Sequence, residues 1–396
     1  MNGSVPIIYF LNREEKGSFV VKKQLEDLKP TIQQLYQHLH THPEISWEEV
    51  ETTKYLANLL KNYGFQPQTF EDCTGLVVEV GEGEVAVGLR CDIDALWQEV
   101  DGVFTSNHSC GHDAHMTMAV GALLLLKKLS YQPKGKLVVI FQPAEEQGTG
   151  ALKMIEKGLV DELDYLYGVH LRPIQELSHG QASSGIQHGA SKFIAGEIIG
   201  EDAHAARPHL GKNAIEIGAD LVQSLSQIHM DPAIPSSIKM TKFQSGGESS
   251  NIIPGTASFS LDLRAQTNEA MNELTEKVAQ VCKGLEILHH ATITLETKST
   301  TAAAIISEEA SDIMGKAISK VLGDEKAVDP IVTTGGEDFH FYTLKNPKLK
   351  ATMLGLGCDL QPGLHHPKMT FNEEAIYSGI EIIAETIMST FEQQEG

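Results

Sequence analysis

The chain has 396 residues, more than one hydrophobic core usually supports, so its length favours two domains. Apolar residues make up 41% and charged residues 21%, which is typical of a globular protein and not of a disordered or fibrous one. With 31 basic against 53 acidic residues the formal charge is −22, which argues against nucleic acids and anionic membranes as partners.

Three further features predict a cytoplasmic protein. Residues 1–19 carry only a short apolar run without a basic start, so they do not resemble a signal peptide. No stretch reaches the roughly 18 apolar residues that cross a bilayer. The five cysteines are scattered and form no CxxC pair, which is typical of a reducing compartment and argues against a disulfide framework.

The first half of the chain alternates helices with short β-branched strands. Ser46 and Glu49 have the spacing of a capping box and predict a helix that ends near Tyr63. Beyond it we predict strands at 76–80, 85–90, 137–141 and 165–171, with helices at about 113–128 and from about 149. This alternation favours a mostly parallel sheet with helices on both faces.

The pattern changes at about residue 192. Strands at 192–200, 237–243, 256–264 and 291–297 and helices at 213–230 and 268–288 give the order βαββαβ, the ferredoxin-like arrangement. A helix at 308–322 and a strand at 352–357 then resume the earlier style. We therefore predict an α/β protein in which a smaller domain, residues 191–303, is inserted into a larger domain formed by residues 1–190 and 304–396.

The first motif that indicates chemistry is "NHSCGHDAHMTM", residues 107–118. Cys110 and His112 stand two apart on a glycine-containing turn, and a thiolate with an imidazole suits zinc, cobalt or manganese. Two alternatives stay open here. Cys110 is either a buried core cysteine beside a helix-capping His-Asp pair, or a nucleophile with His112 as its base. The nucleophile hypothesis leaves the acidic pair downstream unexplained.

That acidic pair is Glu145 and Glu146, directly after a predicted strand. Adjacent side chains point in different directions, so one carboxylate can bind a metal while the other acts as general base toward water. The alternative is an exposed acidic pair on a loop. Pro143 and Gly148 flank the pair and place it on a strand-to-helix crossing, which favours the first interpretation.

Three histidines follow other predicted strands. His170 ends one strand, and His365 and His366 lie in a loop bounded by proline and glycine. Taken alone, each histidine is equally typical of a packed or solvated side chain that binds no metal. In an open α/β sheet, however, sites gather beyond the carboxyl ends of the strands, so these histidines are expected to converge with the motifs above.

Two aspartates near the end of the strand at 85–90 are candidates for an outer shell. Asp92 and Asp94 can accept the second ring N–H of a ligating histidine, and an ion pair of Asp92 with Arg90 is the alternative. His115, about one turn beyond His112, suits a supporting or packed position rather than ligation.

Several segments together resemble one protein family, the zinc-peptidase-like amidohydrolases, which include aminoacylases, hippurate hydrolases and auxin-conjugate hydrolases. The resemblance covers nearly the whole chain from about residue 30, and the bacterial aminoacylase-type members look most similar. It rests on these segments, in order: "LRCDIDALWQE", "NHSCGHDAH", "FQPAEEQGTGA", "GVHLRP", "GEDAHAARPHLGKNAIE", "SSNIIPG", "GGEDFHFY" and "GLHHP".

The resemblance implies roles for individual residues. It implies metal ligands at Cys110, His112, Glu146, His170 and His365, with Cys110 able to bridge two ions. It also implies that Glu145 is the general base, that His204 of the inserted domain helps to bind the substrate carbonyl or carboxylate, and that Asn251 faces the substrate. The inserted domain would then serve as lid and dimerisation domain of a homodimer.

The expected activity is hydrolysis of the amide bond of an N-acyl amino acid, with one or two divalent ions, zinc, manganese or cobalt. A dipeptidase or aminopeptidase with the same metal centre, and a catalytically silent metal-binding relative, are the alternatives. Relatives commonly carry alanine at Cys91 and proline near Trp97 and Gln98, and the strand around Arg264 also differs. These departures affect expected specificity, including whether Arg264 binds a substrate carboxylate, and leave the ligand set intact.

Overall fold

A computed structural model describes residues 13–394, which fall into two compact units. Unit 1 extends to Ile186 and takes in Ile305–Ile331 and the chain from Tyr342; unit 2 comprises Gln187–Ala304 and Val332–Phe341. The assignment of 332–341 to unit 2 has no counterpart in the predicted domains. Residues 1–12, which carry most of the stretch compared above with a signal peptide, lie outside the described residues.

Both units contain helices and strands. The helices are α1 (Arg13–Thr41), α2 (Val50–Asn62), α3 (His112–Lys128), α4 (Gly150–Glu156), α5 (Ala214–Leu225), α6 (Asn268–His289), α7 (Glu308–Leu322), α8 (His340–Lys345) and α9 (Ala375–Gln393). The strands are β1 (Pro67–Thr69), β2 (Leu76–Val80), β3 (Ala86–Asp92), β4 (Leu96–Val100), β5 (Val103–Asn107), β6 (Lys136–Gln142), β7 (Tyr165–Pro173), β8 (Ala182–Ser183), β9 (Ile186–His188), β10 (Ala190–Ile199), β11 (Ala203–His204), β12 (Ser236–Ser245), β13 (Ile252–Ile253), β14 (Thr256–Ala265), β15 (Thr292–Thr301), β16 (Ala327–Val328), β17 (Ile331–Thr333) and β18 (Lys350–Leu360).

An eight-stranded sheet forms the centre of unit 1, in the order β1-β2-β6-β3-β7-β18-β8-β16. Its four central strands, β6, β3, β7 and β18, run parallel. They are almost entirely buried, which explains why they read as continuous apolar runs and not as alternating ones. The predicted mostly parallel sheet is confirmed, and the carboxyl ends of these strands meet at one edge.

Helix α3 carries the cysteine-histidine motif into the core of unit 1. Every residue from His112 to Leu126 is buried. Gly111 begins the helix with φ of +87°, and a Cβ at this position would lie 2.8 Å from Leu171 Cδ1. Only glycine meets both conditions without strain, so the turn that presents Cys110 and His112 depends on it.

Unit 2 contains a four-stranded sheet in the order β12-β14-β10-β15. All three strand pairs are antiparallel. Helices α5 and α6 pack on this sheet, with Ile217, Leu221 and Val278 meeting Ile194 and Leu261 in one apolar cluster. The four strands of this sheet and the two helices follow the order βαββαβ along the chain. The role of this unit as lid and dimerisation domain stays a prediction.

The predicted capping box at the start of α2 is wrong. Ser46 does not cap the helix, because its buried hydroxyl donates to Asp94 Oδ2 at 2.6 Å. The backbone N–H groups of Glu51 and Thr52 donate instead to the carboxylate of Glu44, at 3.2 and 2.7 Å. Within residues 13–394, no helix has the length and apolar character needed to cross a bilayer.

Candidate metal centre

Cys110 lies at the centre of the converging side chains in unit 1. Its Sγ is 3.3 Å from His365 Nε2 and 3.6 Å from His170 Nε2. The ligand atoms of Cys110, His112 and His170 lie within 4.8 Å of one another, and so do those of Cys110, Glu146 and His365. Cys110 belongs to both groups, which is the arrangement expected of a thiolate shared between two ions.

Two buried atoms in this cluster lack a hydrogen-bond partner among the described residues, His112 Nε2 and Glu146 Oε1. They lie 3.8 Å apart, and Glu146 Oε1 is also 3.4 Å from His365 Nε2, without standard hydrogen-bond geometry. An orphaned imidazole nitrogen facing an orphaned carboxylate oxygen is costly unless something bridges them. A divalent ion fits this place, since nitrogen, oxygen and sulfur donors surround it.

The imidazoles of the cluster differ in their affinity for a proton. The nearby Cys110 thiol and, after it, the Glu146 carboxylate raise the pKa of His365 to about 10. Burial lowers the pKa of His170 well below its usual range, and His115 and Arg172 nearby lower it further. His170 Nδ1 donates to the carbonyl of Leu171 at 2.7 Å, so the lone pair of Nε2 faces Cys110.

His112 is held by Asp94 and not by Asp92. Its Nδ1 donates to the Asp94 carbonyl at 2.9 Å and lies 3.3 Å from Asp94 Oδ1, whereas Asp92 Oδ2 is 3.8 Å from Nε2. Burial opposes a charge on His112, but Asp92 and then Cys110 raise its pKa well above the usual value. The donated Nδ1–H leaves Nε2 as the ligand atom.

Asp92 binds the residues that lie behind the cluster. It accepts from Arg90 Nη1 and from His115 Nδ1, each at 2.7 Å, so the ion pair with Arg90 that was the alternative interpretation is present together with a contact to a histidine. His115 Nε2 accepts the backbone N–H of Leu171 at 3.0 Å. Both ring nitrogens of His115 are thereby engaged, and the supporting position predicted for it agrees with this geometry. Although burial opposes it, His112, His115 and Arg90 hold the pKa of Asp92 well below its usual range.

Glu145 lies beside the cluster on the turn that follows β6. Its side chain is nearly buried, and Oε2 is 3.9 Å from His112 Nε2. The preceding residue, Ala144, has φ of +52°, in the left-handed region. The ligand atoms of His112, Glu145 and Glu146 lie within 4.8 Å of one another, so both carboxylates reach the cluster. Their separate roles stay a prediction.

The remaining predicted site residues belong to unit 2. His204 pairs with Ile252 across β11 and β13, and Ala205 N–H donates to the Asn251 carbonyl at 2.9 Å, so His204 and Asn251 are close neighbours. Both are exposed. Arg264 binds Asp262 through Nε and Nη2, at 2.7 and 3.2 Å, and its guanidinium stacks over a phenylalanine ring.

Sequence reasoning missed two contacts that hold the centre in place. Gln98 Nε2 on β4 donates to Ser109 Oγ at 3.0 Å and to the His365 carbonyl at 3.3 Å, which joins a hairpin to the loop of His365. Glu49 accepts the backbone N–H of Ala144 at 2.8 Å. The departure from relatives at Trp97 and Gln98 was a signal for the contacts of Gln98. No sequence pattern indicates the contact between Glu49 and Ala144.

Comparison with known sequences settles the family. Residues 88–389 match Peptidase family M20/M25/M40. The chain belongs to this family. It is 30% identical over 383 residues to N-acetyl-L-cysteine deacetylase of Bacillus subtilis, with 94% of this chain and 91% of the relative covered. It is also 30% identical over 366 residues to an IAA-amino acid hydrolase of Arabidopsis thaliana, with 87% and 82% covered.

A solved structure shows the same architecture. The crystal structure of a dinuclear metal-binding peptidase of the M20 family from Bacillus subtilis matches with a TM-score of 0.79 at 25% identity, covering 93% of this chain and 99% of that one. As a member of the family, the chain is a hydrolase of amide bonds, as predicted. Its clustered thiol, imidazole and carboxylate groups form the predicted site for divalent metal.

Proposed function

We propose that the protein hydrolyses the amide bond of N-acyl amino acids with two divalent ions at the cluster around Cys110. The observation that carries this proposal is the shared position of Cys110 in two ligand groups with Glu145 beside them. The relatives support the substrate class, because their names describe a deacetylase of an N-acetyl amino acid and a hydrolase of amino acid conjugates.

The proposed ligands are Cys110, His112, Glu146, His170 and His365. When bound, the ions supply Lewis-acid charge that polarises an amide carbonyl and lowers the pKa of water toward about 7. Glu145 takes the proton of the attacking water and passes it to the leaving nitrogen, which departs as an amine. Its nearly buried position beside the ligands keeps bulk water from competing for that proton.

His204 is proposed to stabilise the negative charge that develops on the amide oxygen. Its Nδ1 accepts the backbone N–H of Ala206 at 3.1 Å, so in the neutral ring Nε2 carries the proton and can donate it. Removing one donor of this kind typically lowers the rate about a hundredfold or more. Asn251, its neighbour in unit 2, is proposed to contact the substrate.

The variant Glu145→Gln tests the base. It keeps the size of the side chain but cannot take a proton, so we expect kcat for an N-acetyl amino acid to fall about a thousandfold while calorimetry shows metal bound as in wild type. Glu48→Gln, a change of the same kind at an exposed glutamate, should keep the wild-type rate. An active Glu145→Gln enzyme would remove Glu145 as the base.

We also propose a cytoplasmic homodimer that associates through unit 2. The five cysteines are all free thiols, which suits a reducing compartment. In unit 2, β12 is an edge strand, and Ile215, Val222 and Phe243 on α5 and β12 are exposed apolar side chains. Light scattering should give twice the chain mass for wild type and a smaller mass for Val222→Lys.

A further inference from the structure

The turn that carries the two catalytic-site glutamates is held by two buried carboxylates. Three consecutive backbone N–H groups point at them. Ala144 N–H donates to Glu49 Oε1 at 2.8 Å, Glu145 N–H to Asp94 Oδ1 at 3.1 Å, and Glu146 N–H to Asp94 Oδ2 at 3.0 Å. Three consecutive backbone groups of the turn are therefore anchored on two buried side chains.

Glu49 is an unusual residue to find in this place. It precedes the first residue of α2 but makes no capping hydrogen bond to its own helix. Its side chain is completely buried, and its second oxygen accepts the Thr74 hydroxyl at 2.6 Å. Its two oxygens therefore bind groups outside α2. Among the hydrogen bonds described, Ala144 N–H is the one backbone group of the acidic turn that Glu49 binds.

The conformation of Ala144 explains why such an anchor is needed. Its φ of +52° lies in the left-handed region, where a residue with a Cβ is strained by on the order of 1 kcal/mol or more. Such a conformation persists only where its surroundings fix it. The Ala144 carbonyl accepts Gly150 N–H at 3.1 Å, so loss of the Glu49 acceptor would leave this residue held from one side only.

We propose that Glu49 is a positioning residue that fixes the Ala144 peptide and thereby the Glu145 and Glu146 carboxylates. The proposal rests on the proposed roles of those two glutamates. Misplacement of a catalytic group by about 1 Å can lower the rate about a hundredfold. The hydrogen bonds described for the Glu49 side chain join it to Thr74 and to the Ala144 backbone, so the proposed route to Glu145 and Glu146 is the backbone of the turn.

Three variants separate positioning from simple loss of stability. Glu49→Ala removes the acceptor. Glu49→Gln keeps an oxygen for Ala144 N–H and places an amide N–H₂ toward Thr74 Oγ1, so it should rescue the turn. Glu44→Ala is the matched control, because Glu44 caps α2 through Glu51 and Thr52 and has no hydrogen bond to the acidic turn.

The measurements are kcat and KM on an N-acetyl amino acid and calorimetric titration of the metal-free full chain with Mn²⁺. For Glu49→Ala we expect kcat to fall about 10- to 100-fold with KM within about twofold, and Mn²⁺ affinity to fall several-fold because Glu146 is displaced. Glu49→Gln should lie within about threefold of wild type in both measurements. Glu44→Ala should melt at a lower temperature with wild-type kcat and Mn²⁺ affinity.

Two results would overturn the proposal. One is Glu49→Ala with wild-type Mn²⁺ affinity and kcat. The other is Glu49→Gln failing as badly as Glu49→Ala, since an acceptor would then be insufficient. If wild type cleaves no N-acyl amino acid, the substrate assignment fails, yet the Mn²⁺ titrations of the three variants still decide whether Glu49 positions Glu146.

Discussion

At the scale of single residues, neighbouring buried carboxyl groups are held in different protonation states. Burial raises the pKa of Glu49 to about 7, even though hydrogen bonds from Thr74 and Ala144 act in the other direction. Asp94 is equally buried, but hydrogen bonds from His112 and Ser46 overcome burial and lower its pKa. Desolvation penalises the charged form of both carboxyl groups, so the number and charge of their hydrogen-bond donors decide why their pKa values differ.

The raised pKa of Glu49 predicts a pH-dependent cost to stability. Between pH 4.5 and about 7 the folded chain retains a proton that the unfolded chain has lost, so the free energy of unfolding falls as pH rises. A shift of this size corresponds to about 3 kcal/mol. Unfolding of the metal-free chain in urea, followed by the fluorescence of Trp47 and Trp97, both in unit 1, measures it.

Glu49→Gln is the comparison for that measurement, because it cannot titrate. The stability of Glu49→Gln relative to wild type, measured as the difference between their free energies of unfolding, should be about 3 kcal/mol greater at pH 8 than at pH 4.5. Parallel pH profiles for the two proteins would show that Glu49 ionises normally in the folded chain.

Metal binding should release protons. His365, with its pKa raised to about 10, and the buried Cys110 thiol, whose pKa burial raises, are protonated at pH 7 in the metal-free chain. Ligands bind metal only when deprotonated, so affinity for Mn²⁺ should rise with pH between 6 and 8. Calorimetry at pH 7 in two buffers of different ionisation enthalpy should give release of about one proton or more; no release would contradict the assignment of these ligands.

At the scale of elements, the buried strands were predictable and their connections were not. The predicted strand at 76–80 is β2 residue for residue, because a buried strand is a short apolar run. The hairpin of β4 and β5 was missed, because its exposed Trp97, Val103 and Phe104 do not alternate with polar residues as a half-buried strand would.

The convergence of the proposed ligands at strand ends was also predictable, whereas the residues that support them were not. Asp92 and Asp94 stand two apart at the end of β3, where alternate residues share a face, so the pattern alone could not tell which one holds His112. Glu49 and Ala144 are 95 residues apart, and no local pattern connects them. Local signals locate elements, but tertiary hydrogen bonds form between elements.

The start of α4 offers a test of how tightly the acidic turn is packed. A Cβ at Gly150 would lie 1.6 Å from the Pro143 carbonyl oxygen, so Gly150→Ala must displace the backbone just before Glu145. We expect a loss of about 1–3 kcal/mol in stability and a lower kcat. Gly284→Ala in α6, with no atom within 4 Å of the added Cβ, should instead stabilise by up to about 1 kcal/mol. Calorimetric melting of both variants makes the comparison, and equal melting temperatures would contradict it.

At the scale of the whole molecule, all five proposed ligands belong to unit 1, while unit 2 has an apolar core of its own. Metal that binds only the folded site should therefore stabilise unit 1, by about 2.7 kcal/mol when free metal is a hundred times the Kd. Tryptophan fluorescence reports on unit 1, so its melting temperature should rise when Mn²⁺ is added and fall with a chelator. Identical melting curves would mean that the cluster binds no metal in the folded chain.

The central claim is that this cluster performs metal-dependent hydrolysis of N-acyl amino acids. The most direct measurement is amine release from N-acetyl, N-benzoyl and indole-acetyl amino acids, beside simple dipeptides, by metal-stripped protein reloaded with manganese, zinc or cobalt. We predict that reloaded protein cleaves at least one N-acyl amino acid faster than any dipeptide and that stripped protein cleaves none. Reloaded protein that binds metal but releases no amine from this panel, or that prefers the dipeptides, would contradict the account.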